Sequence, residues 1–263
     1  MDILKRQLAP LTKEAWHEID ERATQVLKSN LTARKAVRVR GPLGLDYTAV
    51  PEGRLAMLDD EPGNVRTGIH QVKPLVETRV SFELDRWELD NIARGARDVN
   101  LEALEDAAKK AARFEEDAVF NGYERGMIAG LRQVGAEARP FGASSEAILE
   151  SLSSGVLALK DAFVLPPLTL VVGEKAWQLL HKESAGYPLS KRVEKLIGGE
   201  ILYSPALEGA LLLPYDHEDL ELTLGMDFSI GYESHDSKKV RLFVAESFTF
   251  RVLDPGLIVQ YSV

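Results

Sequence analysis

Three groupings in this sequence carry the letters of familiar chemistry. Ser234, His235 and Asp236 stand side by side, Glu14 and His17 are three apart, and Asp216-His217-Glu218-Asp219 forms a short polar run. Each lacks the spacing its chemistry needs. A triad is assembled in space, and neighbours on an extended chain point to opposite sides, so Ser234, His235 and Asp236 cannot converge. A carboxylate and an imidazole on one helical face suit a ferritin-like metal site, but such a site takes two such pairs and further glutamates. Trp16 and Ile19 define the buried face of that helix, which leaves His17 in solvent. The 216–219 run lies between apolar strands and lacks the spaced oxygens of a calcium loop, so it reads as a polar turn. His70 and His181 stand without zinc-ligand spacing. No glycine-rich loop leads into Lys-Ser/Thr, and no G-x-G-x-x-G follows a strand. Zero cysteines remove thiolate nucleophiles, thiolate metal sites and disulfides together. The chain is expected not to be an enzyme, and only a composite site of distant residues stays open.

The bulk properties bound the class. With 263 residues, 45% hydrophobic and 28% charged, the chain suits a globular protein of one large domain or two modest ones. The longest apolar runs, Ala210–Pro214 and Leu168–Val172, fall far short of the ~20 residues a bilayer requires. Met1–Pro10 has no apolar stretch of signal-peptide type, so a cytoplasmic location without membrane partners is expected. A net charge of −9 argues against general binding of nucleic acid. Arg34, Lys35, Arg38 and Arg40 could still form a local basic patch.

The elements that must position these residues follow from periodicity. Leu11-Thr12-Lys13-Glu14-Ala15-Trp16 predicts a helix start, with Thr12 as cap, Glu14 favourable to the dipole and Leu11 stapled onto Trp16. Trp16, Ile19, Ala23, Val26, Leu27 and Leu31 then make one apolar face. A short strand is predicted at Val37–Val39, after which Gly41-Pro42 and Gly44 open a region without helical period until Trp87. Val76, Thr78, Val80, Phe82 and Leu84 alternate with charged and polar residues as a half-buried strand. Upstream, Tyr47–Val50, Leu55–Leu58 and Gly68–Gln71 read as ribbon pieces broken by Pro51, Gly53, Pro62, Gly63 and Pro74. A two-stranded ribbon is marginal alone in water. The stretch from Tyr47 to Leu84 is therefore either a hairpin folded on its own domain or an arm packed on a neighbouring subunit. Asn100 predicts the cap of a long helix with Leu104, Ala107, Ala111, Phe114 and Ala118 as its stripe and Gly122 as its stop. Helices are expected over Ser145–Leu159, Glu174–Lys182 and Ser190–Ile197 around a strand at Leu168–Val172. Strands are expected at Leu211–Leu213, Leu220–Leu224, Phe228–Tyr232, Val240–Val244, Phe248–Val252 and Leu257–Tyr261.

Several blocks, in order, resemble the encapsulin shell proteins, also known as the linocin-type bacteriocin family. They are Leu4-Lys5-Arg6 with Ala9-Pro10-Leu11-Thr12; Trp16, Ile19-Asp20 and Arg22-Ala23; and Arg34-Lys35 before Gly41-Pro42. Further along come Leu84-Asp85 with Trp87-Glu88-Leu89-Asp90-Asn91, Tyr187-Pro188-Leu189 with Lys191-Arg192-Val193-Glu194, and Gly225 with Asp227. Ser229-Ile230-Gly231-Tyr232-Glu233 and Val240-Arg241-Leu242-Phe243 complete the pattern.

The resemblance implies an α+β fold of the Hong Kong type, that of tailed-phage major capsid proteins. Its parts would be residues 1–46 as N-terminal helix and start of a peripheral domain, 47–84 as extended loop, 85–134 as peripheral domain with its spine helix, 135–215 as axial domain and 216–263 as returning strands. It implies self-assembly into a hollow icosahedral shell around a cargo enzyme, a dye-decolourising peroxidase or a ferritin-like protein, held by a C-terminal targeting peptide. A phage or prophage capsid packaging DNA is the alternative on the same fold. By resemblance the arm buries Val76, Val80 and Phe82 across a subunit boundary. The peptide is expected to dock on Val26, Leu27, Asn30, Leu31, Arg34, Asp227, Phe228 and Ile230, although Val26, Leu27 and Leu31 would serve equally as ordinary core. Ser184, Ala185, Gly186, Tyr187, Pro188 and Leu189 are expected around the five-fold pore. No cofactor is required, but some relatives stack a flavin on the tryptophan equivalent to Trp87 with Arg79 near its phosphate. FMN at Trp87 is therefore one expectation, and a packing role for that indole is the other.

Overall fold

The structure is a computed structural model that describes residues 3–58, 65–182 and 187–263. The first helix, α1 (Lys13–Asn30), starts where expected: the Thr12 hydroxyl accepts the Ala15 N–H at 3.1 Å, and Glu14 sits in the first turn. A short α2 (Ala33–Ala36) leads into β1 (Arg38–Arg40). The next strands are β2 (Ala49–Met57), β3 (Gly68–Pro74) and β4 (Val76–Asp85). Then come α3 (Arg86–Ala93), α4 (Glu102–Asn121), α5 (Leu131–Val134), β5 (Arg139–Pro140) and α6 (Ser145–Asp161). The central part continues with β6 (Leu168–Val172), α7 (Glu174–His181), α8 (Leu189–Ile197), β7 (Ile201–Tyr203) and β8 (Ala210–Pro214). The last strands are β9 (Leu220–Leu224), β10 (Ser229–His235), β11 (Lys239–Val252) and β12 (Val259–Ser262).

Among the described residues these strands make two five-stranded sheets and one ribbon. In the first sheet β11 is the trunk. It pairs antiparallel with β10, β4 and β9, and β1 joins β9 in parallel. Sequence periodicity predicts two strands, Val240–Val244 and Phe248–Val252, because Glu246-Ser247 looks like a break. The chain instead runs through as one 14-residue strand, with Glu246 and Ser247 buried and still in register with Thr78 and Glu77. The second sheet, in the order β5-β12-β8-β6-β7, has every residue of β6 and β8 buried, with α6, α7 and α8 packed on it.

α4 lies along the first sheet and packs on α1. Its alanines Ala107, Ala108, Ala111 and Ala112 are buried, and small side chains permit that close approach. Asn100 caps it from one residue further out than expected: its Oδ1 accepts the Glu102 N–H at 3.0 Å, while Leu101 holds the cap position. Arg22 joins the two helices through Glu105 at 2.6 Å.

The arm is shorter than expected. Among the described residues β2 and β3 pair only with each other, around a register shift between Pro51 and Leu55 where Gly53 takes a φ of 69°. β4, by contrast, pairs with β11 along its whole length. Phe82 and Leu84 are 6% and 4% exposed and pack with Ile19, Leu104 and Leu242 of the same chain. Val80 lies half-buried against that same cluster, and Val76 lies half-buried against a second one that holds Phe248 and Phe250. The expectation of burial across a subunit boundary is therefore corrected for Phe82, while Val76 and Val80 are half-buried within this chain. Alternation made β4 look like the rest of the ribbon, but it is paired along its length and Phe82 and Leu84 are covered from within, so the unpartnered part ends at Pro74. On β2 and β3, Leu55, Met57, Ile69 and Val72 remain half to two-thirds exposed.

Candidate functional site

β10 lies at the edge of the first sheet, beside α1. The N–H of Tyr232 donates to the Leu4 carbonyl at 2.7 Å instead of to β11. Because hydrogen bonding alternates along an antiparallel pair, the N–H and C=O of Ile230, two residues back, also face outward. Between this edge and α1 runs a groove of about 240 Å³, walled by Ala23 and Leu27 on the helix, Phe228 just before the strand and Ile230 on it, with Leu4 and Arg6 at one end. Free edge amides above apolar walls can hold an extended peptide as an added strand.

Of the eight residues expected to dock a peptide, Leu27, Phe228 and Ile230 meet in this groove. Val26 and Leu31 are buried at 9% and 8% exposure. The Asn30 amide donates to the Val26 carbonyl at 2.7 Å and closes the end of α1. The groove-facing Asp20 and Thr24 were missed, although their spacing of seven and three residues before Leu27 puts them on its helical face.

Arg34 and Asp227 belong to an ionic node next to the groove. The Arg34 Nε lies 2.9 and 3.0 Å from the two Glu115 oxygens, and its Nη2 lies 2.6 Å from Glu115 Oε2 and 2.7 Å from Glu246 Oε1. Its Nη1 meets Asp227 at 2.8 Å, and the guanidinium carbon sits 4.9 Å from the Phe228 ring centroid. Arg34 is thus occupied by protein carboxylates, and the basic patch expected around it dissolves further as Arg38 pairs with Asp216 at 3.3 Å. Burial opposes the charge on Arg34, but hydrogen bonding and attraction from Glu115, then Glu246 and Asp227, hold its pKa above the usual value. Burial and the Glu115 charge push Glu246 well up, and its Oε2 has no hydrogen-bond partner. On the next position of α4, Glu116 accepts the Ala33 N–H and the Ser204 hydroxyl, the latter at 2.7 Å. Burial raises Glu116 to about 7 against the pull of those two bonds.

The groupings that resembled catalytic chemistry have other partners. His235 Nδ1 lies 2.6 Å from the Tyr232 hydroxyl, and Asp236 accepts the backbone N–H groups of Lys238 and Lys239 in a turn. His17 is exposed and faces Glu21 at 3.4 Å, away from Glu14.

Residues 1–249 match the family model described as an encapsulating protein for peroxidase. The type 1 encapsulin shell protein of Rhodospirillum rubrum is 39% identical over 97% of this chain and 94% of its own length. That of Rhodococcus erythropolis is 36% identical, with 100% of both chains covered. The chain belongs to the encapsulin shell-protein family. Solved structures place this encapsulin in a wider fold: the virus-like particle from Pyrococcus furiosus has a TM-score of 0.66 at 17% identity, covering 93% of this chain and 98% of its own. The capsid of the myovirus phage XM1 has a TM-score of 0.61 at 10% identity, covering 89% and 92%. The fold is that of tailed-phage capsid proteins, as the sequence resemblance implies.

Two other regions of the encapsulin chain bear on the expected sites. Trp87, in the first turn of α3, is 70% exposed within the single chain, with the Arg94 guanidinium carbon 5.8 Å from its ring centroid. The cavity beside it, about 620 Å³, is lined by Glu83, Asp85, Glu88, Glu102 and Asp106 with Lys239. Arg79 is stacked on Phe243 at 4.2 Å and lies six residues up β4 from Asp85, roughly 20 Å away at 3.3 Å per residue. Within one chain the indole face suits an isoalloxazine, but the carboxylates around it do not fit the FMN phosphate. Of the loop expected at the five-fold pore, Ser184, Ala185 and Gly186 lie outside the described residues. Tyr187 is 65% exposed, Pro188 caps α8, and Leu189 is buried in its first turn.

Proposed function

We propose that this encapsulin is a structural subunit that closes with copies of itself into a hollow icosahedral shell around a cargo enzyme, any catalysis being the cargo's. The observation that carries the reading is the β2–β3 ribbon. It has no partner strand among the described residues and leaves Leu55, Met57, Ile69 and Val72 exposed, an apolar surface that a lone chain gains nothing by displaying. A neighbouring copy supplies the missing surface.

The cargo is a peroxidase, in keeping with the matched family description, or a ferritin-like protein, and its C-terminal peptide lies in the α1–β10 groove. Leu27, Phe228 and Ile230 would receive its apolar side chains while Ile230 offers the edge hydrogen bonds. Assembly proceeds in the cytoplasm; no helix among the described residues is long and apolar enough to cross a membrane. Size-exclusion chromatography and electron microscopy of the purified chain should give closed, empty-centred particles. A monodisperse monomer or dimer at neutral pH would end the reading.

The likeness to the XM1 capsid favours one other reading, a capsid that packages DNA. Particles isolated from the native host would then hold nuclease-protected DNA. Co-purifying protein with no protected DNA supports the compartment.

A further inference from the structure

One end of the α1–β10 groove is closed by the chain's own N-terminal segment. The Leu4 carbonyl takes the Tyr232 N–H, the outward edge position next to Ile230. Leu4 and Arg6 line the groove. Arg6 Nη2 lies 2.7 Å from Asp20 Oδ2, and its guanidinium carbon sits 4.0 Å from the Trp16 ring centroid. The segment thus supplies a strand-like acceptor, an apolar side chain and a cation, which are the groups an added peptide strand would bring.

Its hold is light. The 3-10 turn Arg6–Leu8 has no buried residue, and Leu8 is 66% exposed. Lys5 sits at a φ of 47°, a left-handed conformation disfavoured for residues with a Cβ. The Arg6–Asp20 pair is open to solvent, with side chains 32% and 44% exposed, and such pairs contribute little.

Resting on the reading of this groove as the cargo-peptide site, we infer that residues 3–8 are a displaceable plug within it. The entering tail carries an apolar residue followed two positions later by Arg or Lys. It takes the Tyr232 N–H from Leu4, and its cation replaces Arg6 between Asp20 and Trp16. A purely apolar tail leaves Asp20 and the Trp16 face without their cation and loses to the plug. The N-terminus therefore acts as an internal competitor that selects for basic tails.

The test is to co-produce the full chain with a fluorescent reporter ending in Ile-Leu-Lys-Arg-Gln-Leu, the order of residues 3–8, and to read reporter fluorescence per particle. Arg6→Ala, and separately removal of residues 1–8, should raise loading roughly threefold, the scale of one exposed ion pair. A reporter tail with Ala for Arg should load less in every variant, and Leu27→Glu should empty the particles. Loading unchanged or lowered in both Arg6→Ala and the truncation overturns the plug while leaving the groove reading intact. Loading that survives Leu27→Glu, or background loading throughout, removes the groove reading and the plug with it.

Discussion

Arg34 and Glu115, 81 positions apart, face each other as a two-pronged pair whose closest approach is 2.6 Å, and the Glu115 side chain is wholly buried. The same guanidinium serves Glu246, which is equally buried, so one cation offsets two carboxylates that water cannot reach.

Arg34→Ala strands those carboxylates and should cost about 3–5 kcal/mol of subunit stability, read as a lowered urea midpoint. Arg34→Lys should recover little, because an ammonium cannot fork onto Glu115 while also reaching Glu246 and Asp227. Combining Arg34→Met with Glu115→Leu and Glu246→Leu should recover most of the loss, since an apolar set of similar volume needs no charge balance.

Glu116 makes stability depend on pH. Its pKa rises from 4.5 to about 7 on folding, so the folded state binds the proton more tightly. That contribution is complete below pH 4.5 and is lost as pH rises through about 7, a swing of roughly 3 kcal/mol. Glu246, also raised, acts in the same direction. The urea midpoint should fall between pH 5 and pH 8, and Glu116→Gln should flatten much of that slope. A slope unchanged in the variant would remove Glu116 from the account.

The ribbon and β4 should respond differently to a charge. Ile69→Asp, on the exposed ribbon, should leave the circular dichroism spectrum intact and shift the chain from particles to small species on size-exclusion chromatography. Phe82→Asp should unfold the subunit, because Phe82 lies in the core with Ile19 and Leu104. Even Phe82→Ala should cost about 3–5 kcal/mol.

Gly155, inside α6, gives the second sheet its own check. A Cβ built there would overlap the hydroxyl of Tyr261, which is 2% exposed and closes over the helix from β12. Gly155→Ala should lower the melting temperature even though alanine is the better helix former by about 1 kcal/mol.

What could be read from the sequence was whatever repeats locally. The α1 and α4 stripes, the fully apolar β6 and the ribbon pieces all announce themselves through spacing. The misses have one cause, which is burial by partners distant in sequence. Glu246-Ser247 looks like a loop because nothing nearby says that Arg34 waits behind it. Glu115 and Glu116 look like solvated residues of α4 until Arg34, Ala33 and Ser204 are brought against them. Phe82 has the same alternation as any arm strand, and only the β11 register shows which side of the subunit boundary it occupies. In the groove, Leu27, Phe228 and Ile230 are placed by the family resemblance, and Asp20 by its helical spacing from Leu27, whereas the pairing of Arg6 with Asp20 becomes legible only when the N-terminus is seen across the β10 edge.

The ribbon joins the trunk sheet at two places: residues 41–48 lead from β1 into β2, and Leu75 alone separates Pro74 at the end of β3 from Val76 at the start of β4. A pull on the β3 side of the ribbon is delivered lengthwise into β4, where the cross-strand hydrogen bonds to β11 stand perpendicular to the load and bear it together in shear. A swelling or indented wall that pulls on the ribbon would meet part of its resistance in that ladder, inside the subunit that carries the ribbon.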